Sequence, residues 1–255
     1  QRQMCIRDRP GSRLILSEED ELVKLGGIRF IVPDRPGYGR SDPEPNRTLL
    51  SWMDDVATLA DHLNIRRFSV AGESGGGPHA LGVAAAVPSR VEKVVLVASP
   101  SSANFKGATK GMTLANRLGL WLDRRLPAIN AYFIKSFDNS LLHRPEQALT
   151  ALTRQMSPAD QEMLADPEFR KAVLRDLQEG VRPGSEGHFL DGKLSLTSRD
   201  WGFALQDIKT PVSLWYGEQD TLVSRAMADH LAENLPNCEA HFLPNAGHFL
   251  TEYPE

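Results

Sequence analysis

The sequence predicts an α/β fold in which helices flank a mostly parallel sheet. Three observations lead to this prediction. Short runs of β-branched residues alternate with stretches of helical periodicity. One such run leads through a glycine-rich turn at 72–76 directly into a helix. Residues 100–209 differ, because this Arg-rich segment has helical patterns and no convincing strand. We therefore expect a helical cap inserted between two strands of the sheet.

The individual elements follow from local composition. Ser17 is suited to cap a helix with acids in its first turn, and residues 33–45 form a loop rich in Pro, Gly, Asp and Asn. Ser51 precedes a helix whose apolar residues recur at helical spacing: Trp52, Val56, Leu59 and Leu63. Strands are predicted at 28–32, 67–71, 93–98, 212–216 and 239–243, and helices at 17–25, 51–63, 76–87 and 224–235.

The composition limits the classes of function. With a net charge of −4 and no concentrated Lys/Arg stripe, the chain is not expected to bind nucleic acid. Cys5 and Cys238 have neither CxxC nor Cys/His zinc spacing, so no disulfide framework and no metal site are predicted. No run approaches the roughly 18 apolar residues of a membrane span, and no secretory signal is found. These features favour a cytoplasmic protein with no membrane partner, and they leave the oligomeric state open.

The segment 72–76 (GESGG) matches G-x-S-x-G between a predicted strand and a predicted helix. A serine on such a sharp turn stands above the carboxyl edge of the sheet, and small flanking residues avoid a clash there. Ser74 is therefore the candidate nucleophile, and the backbone N–H of Gly75 is aimed at a developing oxyanion. The alternatives are a chance serine in a glycine-rich loop or a phosphate cradle, although the run lacks the Gly-Lys-Ser/Thr ending of a P-loop.

A serine hydroxyl is a weak nucleophile unless a base takes its proton. His248 lies in a loop directly after the last predicted strand and is the candidate base. Asp220 lies beyond the strand at 212–216 and is the candidate acid that orients the imidazole, with Glu218 as the alternative. The remaining histidines, on helix faces, in the cap or within the last strand, are weaker candidates: His62, His79, His143, His188, His230 and His241.

These motifs resemble those of the α/β-hydrolase fold family. The loop at 34–41 (DRPGYGRS) is similar to its D-x-x-G-x-G-x-S loop. The turn at 72–76, which the family calls the nucleophile elbow, the G-x-x-D loop at 217–220 and the G-H-F loop at 247–249 follow in the family's order. The resemblance covers about 10–255. It implies a hydrolase core at 10–99 and 210–255, with the cap at 100–209 between the family's strands 6 and 7. It implies no metal or cofactor, and a serine at the elbow argues against epoxide hydrolases and haloalkane dehalogenases, which use an aspartate there.

The predicted activity is hydrolysis of a small or medium carboxylic ester, or a related acyl bond, through an acyl-enzyme on Ser74. A small-molecule ester-like substrate is the predicted partner, and Leu118 and Trp121 of the cap are the candidates for the pocket wall. The resemblance leaves aminopeptidase, C–C hydrolase, lactonase and cofactor-free haloperoxidase chemistry open. An alternative of another class is a ligand-binding protein that keeps Ser74, Asp220 and His248 but hydrolyses little substrate.

The first nine residues differ from the rest of the chain. They back-translate as CAG CGT CAG ATG TGT ATA AGA GAC AG plus one base, which resembles a transposon-based sequencing adapter. We therefore interpret 1–9 as translated adapter on a metagenomic fragment. The family's H-G-x-P-G-S-R segment then begins here at Pro10, with Arg9 at the position of the second oxyanion donor. We expect the first strands of the sheet to be missing, including one from its middle, as well as a final helix after Glu255. Poor expression and little activity should follow.

Overall fold

A computed structural model describes residues 2–6, 10–14 and 29–250 of the protein. The strands are β1 (Arg2–Ile6), β2 (Arg29–Ile31), β3 (Phe68–Glu73), β4 (Val91–Val97), β5 (Val212–Gly217) and β6 (Cys238–Leu243). They form one sheet in the order β2-β1-β3-β4-β5-β6, and every neighbouring pair is parallel. Arg9 and the predicted helix at 17–25 lie outside the described residues.

The helices are α1 (Trp52–His62), α2 (Gly77–Ala86), α3 (Leu114–Arg125), α4 (Pro127–His143), α5 (Pro145–Thr153), α6 (Pro158–Met163), α7 (Pro167–Gly180), α8 (Glu186–Gly192) and α9 (Arg225–Asn234). The predicted strands and helices that fall on described residues are confirmed, with ends shifted by one or two residues. None of the described helices is long and apolar enough to cross a membrane.

The main core lies between the sheet and the helices that connect its strands. Helix α2 contacts β3 and β4, and α9 contacts β5 and β6. Eight of the ten residues of α2 are buried, which explains why its residues other than His79 are small or apolar. Strand residues such as Val70, Val94 and Leu214 are fully buried against these helices.

One expectation is corrected in the middle of the sheet. A gap was predicted beside β3, but β1 fills this position and pairs with both β2 and β3. The residues pair in register, with Met4 beside Ile31 on one side and Val70 on the other, and Met4 is fully buried. Ladder hydrogen bonds are made by backbone groups, so a five-residue extended segment satisfies them whatever its side chains. The backbone of the central strands is therefore not left unpaired.

The segment between β4 and β5 is helical throughout its regular structure. It contains α3 to α8 and a short π-helical turn, Lys193–Thr197, and no strand. Proline stands in the first turn of α4, α5, α6 and α7, and side chains of Thr113, Ser157 and Asp166 cap α3, α6 and α7. We call this segment the cap. It has apolar clusters of its own, one of which packs against Leu222 and Phe249 of the core.

Candidate active site

The turn after β3 holds Ser74 in a strained position. Ser74 has φ of 46°, in the left-handed region that non-glycine residues rarely adopt. Strand β3 ends at Glu73, a single turn spans Ser74–Gly76, and α2 begins at Gly77. A side chain at Gly72 would lie 2.7 Å from the Gly77 Cα and 2.8 Å from the Ala80 Cβ, so the sharp turn requires glycine there. The local sequence thus supplies the strand, the sharp turn and the helix start around Ser74.

Asp220 and His248 form a buried pair. The Nδ1 atom of His248 lies 2.7 Å from Oδ2 of Asp220, and both residues are less than a tenth exposed. The other oxygen of Asp220 accepts hydrogen bonds from the backbone N–H groups of Leu222 (2.7 Å) and Val223 (3.0 Å). Because both carboxylate oxygens have fixed partners, Asp220 fixes the orientation of the His248 ring.

The alternative acid is turned away from this pair. Glu218 forms a 2.7 Å ion pair with Arg225, and its side chain is 40% exposed. The loops after β5 and β6 are joined by backbone hydrogen bonds, from Glu218 N–H to the Leu243 carbonyl and from Gln219 N–H to the Ala246 carbonyl, each 2.9 Å. These bonds set the separation between the loop that carries Asp220 and the loop that carries His248.

Sequence reasoning missed one acidic residue at this site, Asp160 of α6. Asp160 is fully buried, and its Oδ1 accepts hydrogen bonds from the backbone N–H groups of His248 (2.7 Å) and Phe249 (3.0 Å). Its Oδ2 accepts a 2.7 Å hydrogen bond from the Ser157 hydroxyl. A Cβ at Gly247 would lie 2.3–2.4 Å from this carboxylate, which explains the glycine before His248. The cap therefore holds the backbone of the candidate base.

Ser74 and His248 line one cavity of about 360 Å³, together with residues of the cap. The cap contributes residues from α3, α4, α7 and α8, including Leu120, Ile134 and Leu177. Pro10 and Gly11 also line it, and Ser12 is anchored nearby through its N–H (2.9 Å) and hydroxyl (2.8 Å) to Asp176 of α7. Candidate nucleophile, candidate base and cap thus meet around one cavity.

The two predicted pocket residues of α3 lie elsewhere. Leu118 is 55% exposed and Trp121 is 52% exposed, and neither lines the cavity. The cavity is instead lined by Gly119 and Leu120, which lie one residue away from them in the sequence. Successive residues of an α-helix point about 100° apart, so a shift of one position moves a side chain to a different face. The apolar pattern of α3 therefore identified a helix whose larger apolar side chains point outward.

His79 belongs to a buried charge network behind the elbow. Its Nδ1 lies 3.2 Å from the carbonyl of Gly75, and its Nε2 lies 3.4 Å from Asp191 of α8. Asp191 also pairs with Arg35 (2.9 Å) and with Arg47. Burial raises the pKa of Asp191, but the charges of Arg35, His79 and Arg47 outweigh it and hold that pKa well below its usual range. This network joins the cap to the loop at 34–41 and to the elbow.

The remaining candidate histidines have other positions or partners. His62 and His143 are exposed on helices, His230 stacks on Phe105, and His241 stacks on Trp215. His188 lines the cavity from the cap, and its Nδ1 lies 2.9 Å from Asp138. Within the described residues, no group of three or more His, Cys, Asp or Glu side chains is arranged to hold a metal ion.

Comparison with known proteins agrees with this architecture. A 2-hydroxy-6-oxononadienedioate/2-hydroxy-6-oxononatrienedioate hydrolase of Cupriavidus pinatubonensis is 26% identical over 234 residues, which are 90% of this chain and 73% of that protein. A pimeloyl-(acyl-carrier protein) methyl ester esterase of Aromatoleum aromaticum is 28% identical over 232 residues, 90% of this chain and 84% of that protein.

Solved structures resemble this chain in fold. The esterase EaEST from Exiguobacterium antarcticum superposes with a TM-score of 0.71 at 18% identity, covering 98% of this chain and 85% of its own. Est816, described as an N-acyl homoserine lactone degrading enzyme, gives a TM-score of 0.65 at 20% identity, covering 97% of this chain and 86% of its own. The sequence profile described as alpha/beta hydrolase fold matches residues 10–253, nearly the whole chain. The protein therefore belongs to the α/β-hydrolase fold family.

Proposed function

We propose that the protein is a serine hydrolase that cleaves a small or medium carboxylic ester, or a related acyl bond, through an acyl-enzyme. The observation that supports this most directly is the buried 2.7 Å pair of His248 and Asp220, because His248 lines the same cavity as the strained Ser74. A strained serine beside an oriented imidazole is the arrangement that nucleophilic acyl transfer requires.

In this proposal Ser74 Oγ attacks the acyl carbonyl while His248 Nε2 takes its proton. Asp220 holds the ring and stabilises the imidazolium that forms. The N–H of Gly75, at the start of the turn into α2, donates to the oxygen of the tetrahedral intermediate. His248 then protonates the leaving alcohol, and water activated by the same ring releases the acid. No cofactor enters any of these steps.

The cavity wall favours an uncharged acyl or alcohol group. Among the described residues, most of the wall is apolar, the charged side chains are the carboxylates Glu73, Asp123 and Asp176, and no Lys or Arg contributes. A dicarboxylate would meet these acids without a cationic partner, which costs free energy in a buried site. This charge pattern supports ester hydrolysis over the C–C bond hydrolysis of dianionic substrates. The latter stays the second candidate because of the relative in Cupriavidus pinatubonensis.

The test is a panel of neutral p-nitrophenyl esters of increasing acyl length, with Ser74→Ala as the control. We expect hydrolysis of short and medium chains that is lost in the control. Labelling of Ser74 by a fluorophosphonate without turnover of any ester would instead favour a ligand-binding protein. Turnover of a 2-hydroxy-6-oxodienoate with no ester turnover would favour the C–C hydrolase.

A further inference from the structure

The outer face of α3 and α4 is unusually apolar. Of the nine large hydrophobic side chains that are exposed in the described part of the chain, eight lie between residues 114 and 142. Seven of them are on these two helices: Leu114, Leu118, Trp121, Ile129, Tyr132, Phe133 and Leu142. Leu114 is 80% exposed and Tyr132 is 70% exposed. A soluble monomer rarely exposes so many large apolar groups together.

The exposed charges on the same segment are all positive. Residues 105–144 contain seven Lys and Arg residues, all exposed. They contain only two acids, Asp123 and Asp138, and both are buried and hydrogen-bonded. None of the seven basic side chains forms an ion pair with a described residue. The chain as a whole carries a net charge of −4, so this cationic character is local and is not a property of the whole surface.

The exposed face of α3 lies directly outside the cavity wall. Ala115, Gly119 and Leu120 of α3 line the cavity. At about 100° per residue, Leu118 and Trp121 lie on the opposite side of the same helix. A single helix therefore separates the cavity from the apolar and cationic surface. We call this surface, formed by the outward residues of α3 and α4, the outer cap face.

We infer that the outer cap face binds the surface of an anionic lipid bilayer. Leu, Phe and Trp side chains with Lys and Arg around them are the composition of helices that lie in the membrane interface, where apolar groups enter the acyl boundary and cations meet lipid headgroups. A second copy of the chain fits less well, because it would bring two unpaired cationic faces together. If the proposed function holds, binding through the outer cap face would present a membrane-dissolved ester to the cavity. Only this consequence rests on the proposed function.

The test is co-sedimentation of the 255-residue chain with vesicles. Two compositions are compared: pure phosphatidylcholine, and phosphatidylcholine with about one third phosphatidylglycerol. We expect at least about tenfold tighter binding to the anionic vesicles, and loss of most of that advantage in about 1 M salt. Equal binding to both compositions, or no binding to either, would overturn the inference.

Variants on exposed positions locate the binding surface without disturbing the core. Arg117→Glu, Arg125→Glu and Lys135→Glu together should abolish the preference for anionic vesicles. Arg66→Glu, Lys93→Glu and Arg199→Glu make the same change in net charge on exposed residues outside the outer cap face. This control triple should retain most of the preference for anionic vesicles. Leu118→Ser with Trp121→Ser should weaken binding at both salt concentrations. Equal loss in the two charge-reversal triples contradicts the assignment to this face.

Two further measurements separate this inference from its competitors. Sedimentation velocity that shows a dimer lost in the Leu118→Ser, Trp121→Ser variant, with vesicle binding unchanged, would make the face a self-association surface and overturn the inference. Hydrolysis of a water-soluble p-nitrophenyl ester is followed in parallel. Vesicle binding without any hydrolysis leaves the inference standing and contradicts the proposed function, whereas hydrolysis without vesicle binding does the reverse.

Discussion

Asp160 offers the sharpest test of how the cap supports the candidate base. Its carboxylate is fully buried and accepts hydrogen bonds from His248 N–H, Phe249 N–H and the Ser157 hydroxyl. Asp160→Asn nearly preserves this geometry, because the amide oxygen can accept from both N–H groups while the amide nitrogen donates to Ser157 Oγ. Asp160→Ala removes all three bonds. The first variant therefore isolates the charge and the second adds the loss of support.

The expected magnitude follows from the position of the charge. A carboxylate bonded to the backbone of His248 lies roughly 6–8 Å from its ring, and at an effective dielectric constant of about 20 it stabilises an imidazolium by about 2 kcal/mol. Asp160→Asn should thus lower kcat on the pH plateau by about thirtyfold, because the imidazolium forms in the transition state. It should also move the acid-side midpoint of the kcat/KM profile to lower pH by about 1.5 units, since the protonated ring loses a nearby anion. Asp220, Glu73, Asp123, Asp176 and His188 still surround the cavity and ring in both proteins.

The assay is a pH–rate profile on a neutral p-nitrophenyl ester, with Asp166→Asn as the matched control. Asp166 caps α7 in the same cap, is exposed, and accepts its hydrogen bond from Phe169 N–H rather than from the His248 loop. Asp160→Ala should lower activity further and reduce thermal stability, because the buried N–H of His248 and the half-buried N–H of Phe249 lose their acceptor, at about 1–3 kcal/mol for a buried group. A lower plateau with an unmoved acid-side midpoint in Asp160→Asn would refute the electrostatic reasoning and leave Asp160 a purely structural residue.

The other predictions concern the triad and the cap. Ser74→Ala and His248→Ala should each reduce kcat by about 10⁶-fold in a folded protein, measured by ester hydrolysis and circular dichroism. Asp220→Asn should cost about 10⁴-fold and Glu218→Gln far less, and the reverse order would contradict the acid assignment. Leu120→Ala, at a buried position, should destabilise the protein by about 2–5 kcal/mol in urea unfolding. Leu118→Ser should change stability by less than about 0.5 kcal/mol, and similar losses in both would mean that Leu118 is covered.

The core of the site could be predicted because its signals are local. Ser74 is flanked by glycines that the turn requires, and Asp220 and His248 each follow a strand at the same edge of a parallel sheet. Asp160 could not be predicted in this way. Ser157 and Asp160 form the S-x-x-D pattern of a capping box, which indicates a helix start. The carboxylate instead reaches a loop 88 residues away in sequence.

The errors have physical causes as well. The apolar residues of α3 predicted an amphipathic helix, but periodicity does not say which neighbour the apolar side faces, and Leu118 and Trp121 point outward. The expected gap in the sheet rested on the identity of the first residues. Strand pairing depends on backbone groups, and Arg2–Ile6 supplies them.

The network behind the elbow makes stability depend on pH in a defined direction. Burial lowers the pKa of His79; Asp191 opposes this, and the charges of Arg35 and Arg47 reinforce it. Because the folded-state pKa of His79 lies below the unfolded value of about 6.5, the unfolded chain binds more protons as pH falls through that value. His79 then lowers the stability of the folded protein.

We expect the urea midpoint to fall between about pH 7 and pH 5. His79→Gln, which cannot titrate, should reduce this fall, whereas His62→Gln on the exposed face of α1 should not. Asp191 retains its charge in this range, since its pKa lies well below the usual value, so the cap stays anchored. An unchanged pH dependence in His79→Gln would mean that His79 does not carry the titration.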